Sequence, residues 1–237
     1  MDTLYIVIPA YNEENNIEQV INDWYPIVEK YNGNGASRLL VIDDGSKDST
    51  YSKICKCSES KPLLLPITKS NGGHGATVLW GYHYALEHDA DFIFQTDSDG
   101  QTLPSEFDQF WKLRNKYDLI IGWRKGRQDG ISRIFVTKIL KVVIKLCFHV
   151  TVRDANTPFR LMKKDKLAKY IDLIPNDFNL SNVLLSVIYA KKNCKVKYIP
   201  ITFRKRQGGK NSINLVSISK IGRKALKDFR TLNHKIS

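Results

Sequence analysis

Apolar positions in the first half of the chain fall into short runs separated by amphipathic stretches. LYIVIPA, from Leu4, is a run of branched residues ended by Pro9, the pattern of a strand buried on both faces. In NEENNIEQVINDWYPIVEKY the apolar residues Ile17, Val20, Ile21 and Trp24 return at helical spacing. SRLLVIDDGS reads as a second strand, DSTYSKICKCSE as a helix capped by Asp48 or Ser49, and PLLLPITKS as a third strand. NGGHGATVLWGYHYALEHD opens with glycines and turns helical over Ala76 to Glu87. DFIFQTDSDG is a fourth strand, PSEFDQFWKLRNK a helix with Pro104 near its start, and YDLIIGWR a fifth strand. This alternation predicts an α/β domain built on a mainly parallel, doubly wound sheet with flanking helices.

The second half is less regular. Residues 131–150 form a long basic amphipathic pattern. RDANTPFRLMKKDKLAKYI reads as a turn, a short strand and a helix, and NLSNVLLSVIYAKKN as another helix. KVKYIPITFRKRQGGKNS is a strand followed by a basic loop, and INLVSISKIGRKALKDFRTLNHK a final amphipathic helix. No Pro/Gly/Ser-rich linker interrupts the chain. We therefore expect one domain, with residues 1–125 as its core and 126–237 as a C-terminal helical elaboration.

A chain of 237 residues is long enough to bury a sizeable core. What changes the picture is the net charge of +13, which suits a polyanionic partner or, more blandly, a solvated lysine-rich surface. Signatures of the common nucleic-acid modules are absent, so no nucleic-acid partner is expected. The four cysteines (Cys55, Cys57, Cys147 and Cys194) lack zinc spacing and read as free thiols in a reducing cytoplasm. The N-terminus does not read as a signal peptide. The most apolar segment, ISRIFVTKILKVVIKLCFHV, carries Arg133, Lys138, Lys141 and Lys145 and is too charged for a membrane span. Lys138, Lys141, Lys145 and His149 instead make one narrow stripe on an otherwise apolar helix. That pattern suits a helix lying in an anionic membrane surface, although a core helix or a dimer interface fits it too. The expected location is cytoplasmic, peripheral on the inner face of the membrane; a homo-oligomer is compatible with the sequence.

In a doubly wound sheet, ligands bind beyond the carboxyl ends of the strands. Asp97 and Asp99 stand there, after the fourth strand. Hard divalent cations such as Mg2+ or Mn2+ take carboxylate oxygens and share their shell with substrate phosphates, and Gln101 offers a further carbonyl oxygen. One of the two acids would equally suit a ribose, and a solvated turn would explain the triplet with no ligand at all. Asp43 and Asp44 end the second strand, placed for a ribose hydroxyl or a base N–H, or for a helix cap. The glycine-rich SNGGHGAT presents amides to an anion or makes a tight turn for close helix packing. It matches neither the P-loop nor the full dinucleotide spacing. His74 within it reads as a loop residue rather than a general base.

IPAYNEENNI, VIDDGSKDST, NGGHGAT and TDSDGQ, in this order over residues 4 to 125, resemble the signature set of family-2 inverting glycosyltransferases with the GT-A fold. The resemblance implies a nucleotide-sugar pocket lined by Pro9, Tyr11, Glu13, Asp43, Asp44, Ser46, Gly75, Asp97 and Ser98. Asp97, Asp99 and Gln101 would hold Mg2+ or Mn2+ against the donor diphosphate. The second half resembles the polyprenyl-phosphate branch of that family. GWR supplies Arg124; SRIFVT supplies Arg133 and Thr137; DANTPFRLM supplies Asp154, Phe159 and Arg160, with Pro158 where the branch has Gly; IPITFRKRQGGKNS supplies Arg206, Gly209 and Ser212. By that likeness Arg124, Arg133 and Arg206, with Thr137 and Ser212, would bind an acceptor phosphate. Hydroxyl acceptors need a general base. The acid motif that many relatives carry is missing from DFNLSNVLLS, where Asp177 is followed by Asn179, Ser181 and Asn182. The implied activity is metal-dependent, inverting transfer of a sugar from a UDP- or GDP-sugar to polyprenyl (undecaprenyl or dolichyl) phosphate. The alternative acceptor is a glycan hydroxyl in surface polysaccharide assembly, with Asp154 or Asp177 as base.

Overall fold

The structure is a computed structural model; it describes residues 2–33, 35–124, 131–204, 229, 232 and 233, with backbone alone for 131–136. Its strands are β1 (Leu4–Ala10), β2 (Arg38–Asp43), β3 (Leu64–Thr68), β4 (Phe92–Gln95), β5 (Leu119–Arg124), β6 (Arg160–Lys163) and β7 (Val196–Ile201). The helices are α1 (Ile17–Lys30), α2 (Thr50–Ser58), α3 (His74–Glu87), α4 (Phe107–Leu113), α5 (Ile131–Phe148), α6 (Lys164–Tyr170) and α7 (Ser181–Lys191).

These strands form one sheet in the order β3-β2-β1-β4-β6-β5-β7. Every pairing is parallel except those of β6, which runs antiparallel to both neighbours. The expected parallel sheet is therefore present, with one reversed strand wedged between β4 and β5. The wedge has a consequence for the site, because it sets Arg160 beside Gln95 at the end of β4 and Ile121 within β5.

Branched residues of β1 and β2 are buried on both faces, as a parallel sheet covered by helices requires. One face packs under α3, α5, α6 and α7, and the other under α1 and α4. The second of these holds an aromatic cluster in which the ring centroids of Trp24, Phe107 and Phe159 lie 5.3, 4.8 and 4.7 Å from that of Phe94, within the range of favourable aromatic pairs. On the first face α3 lies close to the sheet: a Cβ at Gly81 would stand 2.5 Å from Val7 Cγ1 and 2.7 Å from Ile42 Cδ1.

α3 begins at His74, two residues before the expected Ala76. At α2 the N-cap residue is Ser49, but the side chain that bonds is that of Asp48, whose Oδ1 accepts from the Thr50 amide at 3.0 Å. On α5, Ile144 and Phe148 are buried while Lys138, Lys141 and Lys145 are exposed. Beside that lysine stripe Ile139, Val142 and Leu146 are 47, 58 and 70% exposed, an apolar strip with no cover among the described residues. Of the expected final helix only Phe229, Leu232 and Asn233 are described, and the first two are buried against α5 and α7 residues of the core. Among the described residues no helix is long and apolar enough to cross a membrane, and all four cysteines are free thiols.

Candidate active site

The carboxyl ends of β1, β2 and β4 share one edge of the sheet, and the loops leaving them are tied together. The Asn12 amide donates to Ser46 Oγ at 2.9 Å and the Lys47 amide to Asn12 Oδ1 at 2.9 Å. The Glu13 amide donates to Thr50 Oγ1 at 2.9 Å, and Ser49 Oγ donates to Glu14 at 2.6 Å. The loops after β1 and β2 thus form a single rim. Pro9 is buried within β1, paired in register with Ile42. Glu13 is buried, with Asn16 donating to its carboxylate, whereas Tyr11 is 43% exposed on the rim.

Asp43 and Asp44 follow one another but do different things. Asp43 Oδ2 accepts from Thr68 Oγ1 at 2.8 Å, and both Asp43 oxygens lie 3.3 Å from the Ser46 amide. Asp44 turns into the glycine-rich loop. Its Oδ1 accepts from Lys69 Nζ at 2.5 Å and from the Gly72 amide at 2.9 Å, and its Oδ2 from the Gly73 amide at 2.9 Å. The anion that SNGGHGAT holds is therefore an internal one. Burial alone would raise the Asp44 pKa, but the Lys69 ammonium and the Gly72 amide outweigh it and hold the carboxyl below its ordinary value. Gly75 is needed here for space: a Cβ would stand 2.3 Å from Phe178 O and 2.6 Å from Asn179 C, so the start of α3 is pressed against the turn before α7.

The Asp97 carboxylate, at the end of β4, accepts from two sides. Its Oδ1 lies 3.0 Å from His74 Nε2 and 3.3 Å from Gln95 Nε2. Desolvation would lower the His74 pKa, but Asp97 in contact, with Asp99 and Asp44 nearby, raises it above its ordinary value. His74 is thus the first residue of a helix and a partner of Asp97, not the loop residue expected. Ser98 is buried, and Asp99 Oδ1 accepts from the Gln101 amide at 3.1 Å in a local turn. The Gln101 side chain is buried and donates from Nε2 to Arg204 O at 2.7 Å, which leaves its amide oxygen as the acceptor end. Arg204 returns a backbone bond to Gln101 O at 2.9 Å. The chain leaving β7 therefore clamps the acidic loop.

Among the described residues no trio of acidic, His or Cys side chains closes on one point. Two carboxylates and a carboxamide are the donors present. Such a sparse oxygen set fits Mg2+ or Mn2+, which complete their shells with phosphate and water.

The acceptor residues are less fully placed. Arg124 ends β5 and grips Asp154: Nε donates to Oδ2 at 3.0 Å and Nη2 to Oδ1 at 2.9 Å. Both side chains are nearly buried, so the Arg124 charge is already matched. Arg133 lies on α5 with its side chain outside the described residues, and Thr137 is half-buried on the same helix. Arg206, Gly209 and Ser212 lie outside the described residues, Arg206 two positions beyond Arg204 in the chain. Asp177 and Asn179 are exposed in the turn before α7, while Ser181 and Asn182 are buried. Sequence reasoning missed Gln95 and Tyr82. They sit within apolar runs; Gln95 meets Asp97, and the packing of α3 brings the Tyr82 hydroxyl to Gln95.

A doubly wound sheet with one reversed strand, acids at the ends of β2 and β4, and a glycine-rich turn opening α3 make up the architecture of a glycosyltransferase. Residues 5–171 match the model for "Glycosyl transferase family 2", and the chain belongs to that family. It is 24% identical over 225 residues to dolichyl-phosphate beta-glucosyltransferase ALG5D of Trichomonas vaginalis, covering 88% of this chain and 68% of that protein. It is 22% identical over 209 residues to an undecaprenyl-phosphate 4-deoxy-4-formamido-L-arabinose transferase of Pseudomonas syringae pv. syringae, covering 83% of this chain and 60% of the relative. The match thus spans about two thirds or less of these relatives' own length. Among solved structures, glucosyl-3-phosphoglycerate synthase from Mycobacterium tuberculosis, in complex with Mn2+ and UDP-glucose, superposes with a TM-score of 0.70 at 16% identity, covering 98% of this chain and 79% of that one. The fold is the GT-A fold expected from the motifs.

Proposed function

We propose that the protein transfers a sugar, with inversion, from a nucleoside diphosphate sugar to polyprenyl phosphate. The observation that carries this reading is Asp97 at the end of β4, met by His74 from the glycine-rich turn and followed by Asp99 and the Arg204-clamped Gln101. Asp43, Ser46, Tyr11 and Glu13 rim the donor side, with Pro9, Asp44 and Gly75 shaping it from beneath. Asp97, Asp99 and Gln101 would hold the cation, which when bound would offset charge on the departing diphosphate. An oxygen of the acceptor phosphate attacks the anomeric carbon from the face opposite the diphosphate, and the bond to that diphosphate breaks. The incoming oxygen is already anionic, so no proton need be removed.

Two features support phosphate over a glycan hydroxyl. Asp154, one candidate base, is spent on Arg124. In the turn before α7 Asp177 is the one acid, and it is exposed to solvent. The relatives named for undecaprenyl- and dolichyl-phosphate sugar transfer support the same acceptor class. Arg133 and Arg206, with Thr137 and Ser212, recognise the phosphate, and Arg124 orders the end of β5 by gripping Asp154. The apolar strip of α5 with its flanking lysines lies in an anionic membrane surface, where a lipid-borne acceptor is found. The direct test is Asp99→Asn, assayed with radiolabelled UDP- and GDP-sugars against polyprenyl phosphate and against a lipid-linked sugar. Transfer to polyprenyl phosphate that Asp99→Asn abolishes is the expected result. Full activity of the variant would refute the cation site, and transfer to the lipid-linked sugar alone would refute the acceptor.

A further inference from the structure

The carboxylate of Asp97 is reached from the protein interior as well as from the cleft. Gln95 is completely buried, and its Nε2 faces Asp97 Oδ1 at 3.3 Å. A carboxamide has a donor end and an acceptor end, and which end faces Asp97 depends on what lies at the other. Here that is Tyr82 of α3, also completely buried, whose hydroxyl donates to Gln95 Oε1 at 2.8 Å. Burial pushes the Tyr82 pKa far above its ordinary value, although the Arg160 charge opposes this, so the hydroxyl keeps its proton. The same hydroxyl lies 3.3 Å from Oδ1 of Asn182, the second residue of α7. Asn182 is fixed in turn, since its carbonyl accepts from Arg160 Nη1 at 3.0 Å.

Arg160 anchors the line. It is completely buried with no carboxylate in contact among the described residues, and its five N–H groups are taken by Ala155 O, Thr157 O, Asn182 O and Ser186 Oγ. No group in it is free to turn without leaving a buried donor or acceptor unmade.

We propose that Tyr82 and Gln95 are positioning residues: together they hold the donor end of the Gln95 amide against Asp97 Oδ1, which leaves Oδ2 for the cation. The inference rests on the reading of Asp97 as a cation ligand. Removing the Tyr82 hydroxyl leaves the buried Gln95 Oε1 without its donor, so the amide loses the contact that fixes it and its hold on Asp97 Oδ1 loosens. Among the described residues no hydrogen bond is made to Asp97 Oδ2, and His74 and Gln95 both meet Oδ1.

The test is Tyr82→Phe, with Tyr189→Phe as its control. Tyr189 is buried on α7 and its hydroxyl has no hydrogen-bond partner among the described residues, so the control deletes the same atom without touching the line. Mn2+ binding is measured by electron paramagnetic resonance, with the metal alone and with UDP or GDP present. Outer-shell partners of metal ligands are worth about 10- to 100-fold in affinity. Tyr82→Phe is expected to weaken Mn2+ by that factor, and Tyr189→Phe to leave it unchanged. A purely structural role would lower the melting temperature of Tyr82→Phe while its folded fraction bound Mn2+ like the wild type, and that result overturns the proposal. Should Tyr82→Phe not fold, Gln95→Met removes the amide directly and carries the same expectation. Wild-type protein that binds no Mn2+ in any arm would sink the cation site itself, and this inference with it.

Discussion

The Arg124–Asp154 pair gives the sharpest stability prediction. The guanidinium meets the carboxylate through two parallel bonds of 2.9 and 3.0 Å, and the two side chains are 10 and 8% exposed. The Phe203 ring lies 5.1 Å from the guanidinium carbon. Asp154→Leu leaves the Arg124 charge buried against apolar atoms. Removing one partner of such a pair costs about 3–5 kcal/mol, against a total stability of about 5–15 kcal/mol for an ordinary domain. Urea denaturation followed by circular dichroism reads this as a fall in midpoint at constant slope. Arg124→Met combined with Asp154→Leu removes the stranded charge as well, and should recover most of the loss. The pH dependence adds a second arm. Burial alone would raise the Asp154 pKa, but Arg124 outweighs it and holds the group below its ordinary 3.8. A depressed carboxyl contributes fully above its unfolded value and is lost as pH falls through the folded one. The wild-type advantage over Asp154→Leu should therefore stay level from pH 8 to pH 5 and shrink below about pH 4. A single-variant loss under about 1 kcal/mol, the range of solvent-exposed pairs, would refute the argument that this pair is desolvated.

Two further outcomes are expected. Gly75→Ala places a methyl 2.3 Å from Phe178 O, a backbone atom that cannot swing aside, so the melting curve should shift down by the equivalent of about 1–3 kcal/mol; an unchanged curve would mean that α3 and the turn before α7 are not pressed together. Leu146→Glu alters a side chain 70% exposed and should leave urea stability unchanged, while co-sedimentation with phosphatidylglycerol vesicles falls at least about tenfold; equal sedimentation of the variant would remove α5 from the membrane.

The parallel sheet was legible because its strands are buried on both faces and so read as unbroken apolar runs, LYIVIPA and LLVID among them. Register and neighbours were not. RLMK carries two basic residues in four, and nothing local says that it enters between β4 and β5 in the reverse direction. The lysine stripe of α5 followed from periodicity alone, and the exposed Ile139, Val142 and Leu146 beside it emerge only once Ile144 and Phe148 are seen to be the face turned inward. Likewise the acid pair of β4 stood out in sequence, yet the bonds that orient it come from His74, Gln95 and Tyr82, spread over α3 and β4.

The two consecutive acids at the end of β2 show why adjacent residues of one type need not share a task. Successive side chains of an extended chain point to opposite sides. Asp43 bonds back to Thr68 of the neighbouring strand, while Asp44 lies among the amides of Gly72 and Gly73 and the Lys69 ammonium. An acid so placed satisfies amides that open a helix, where the backbone has donors and no partners of its own. The glycine-rich turn therefore has its own anion, and it need not receive a donor phosphate in order to keep its shape. With that turn held by Asp44, His74 is delivered to Asp97 by the fold itself. The consequence is an order of dependence: Asp44 shapes the turn, the turn places His74, and His74 with Gln95 fixes Oδ1 of Asp97.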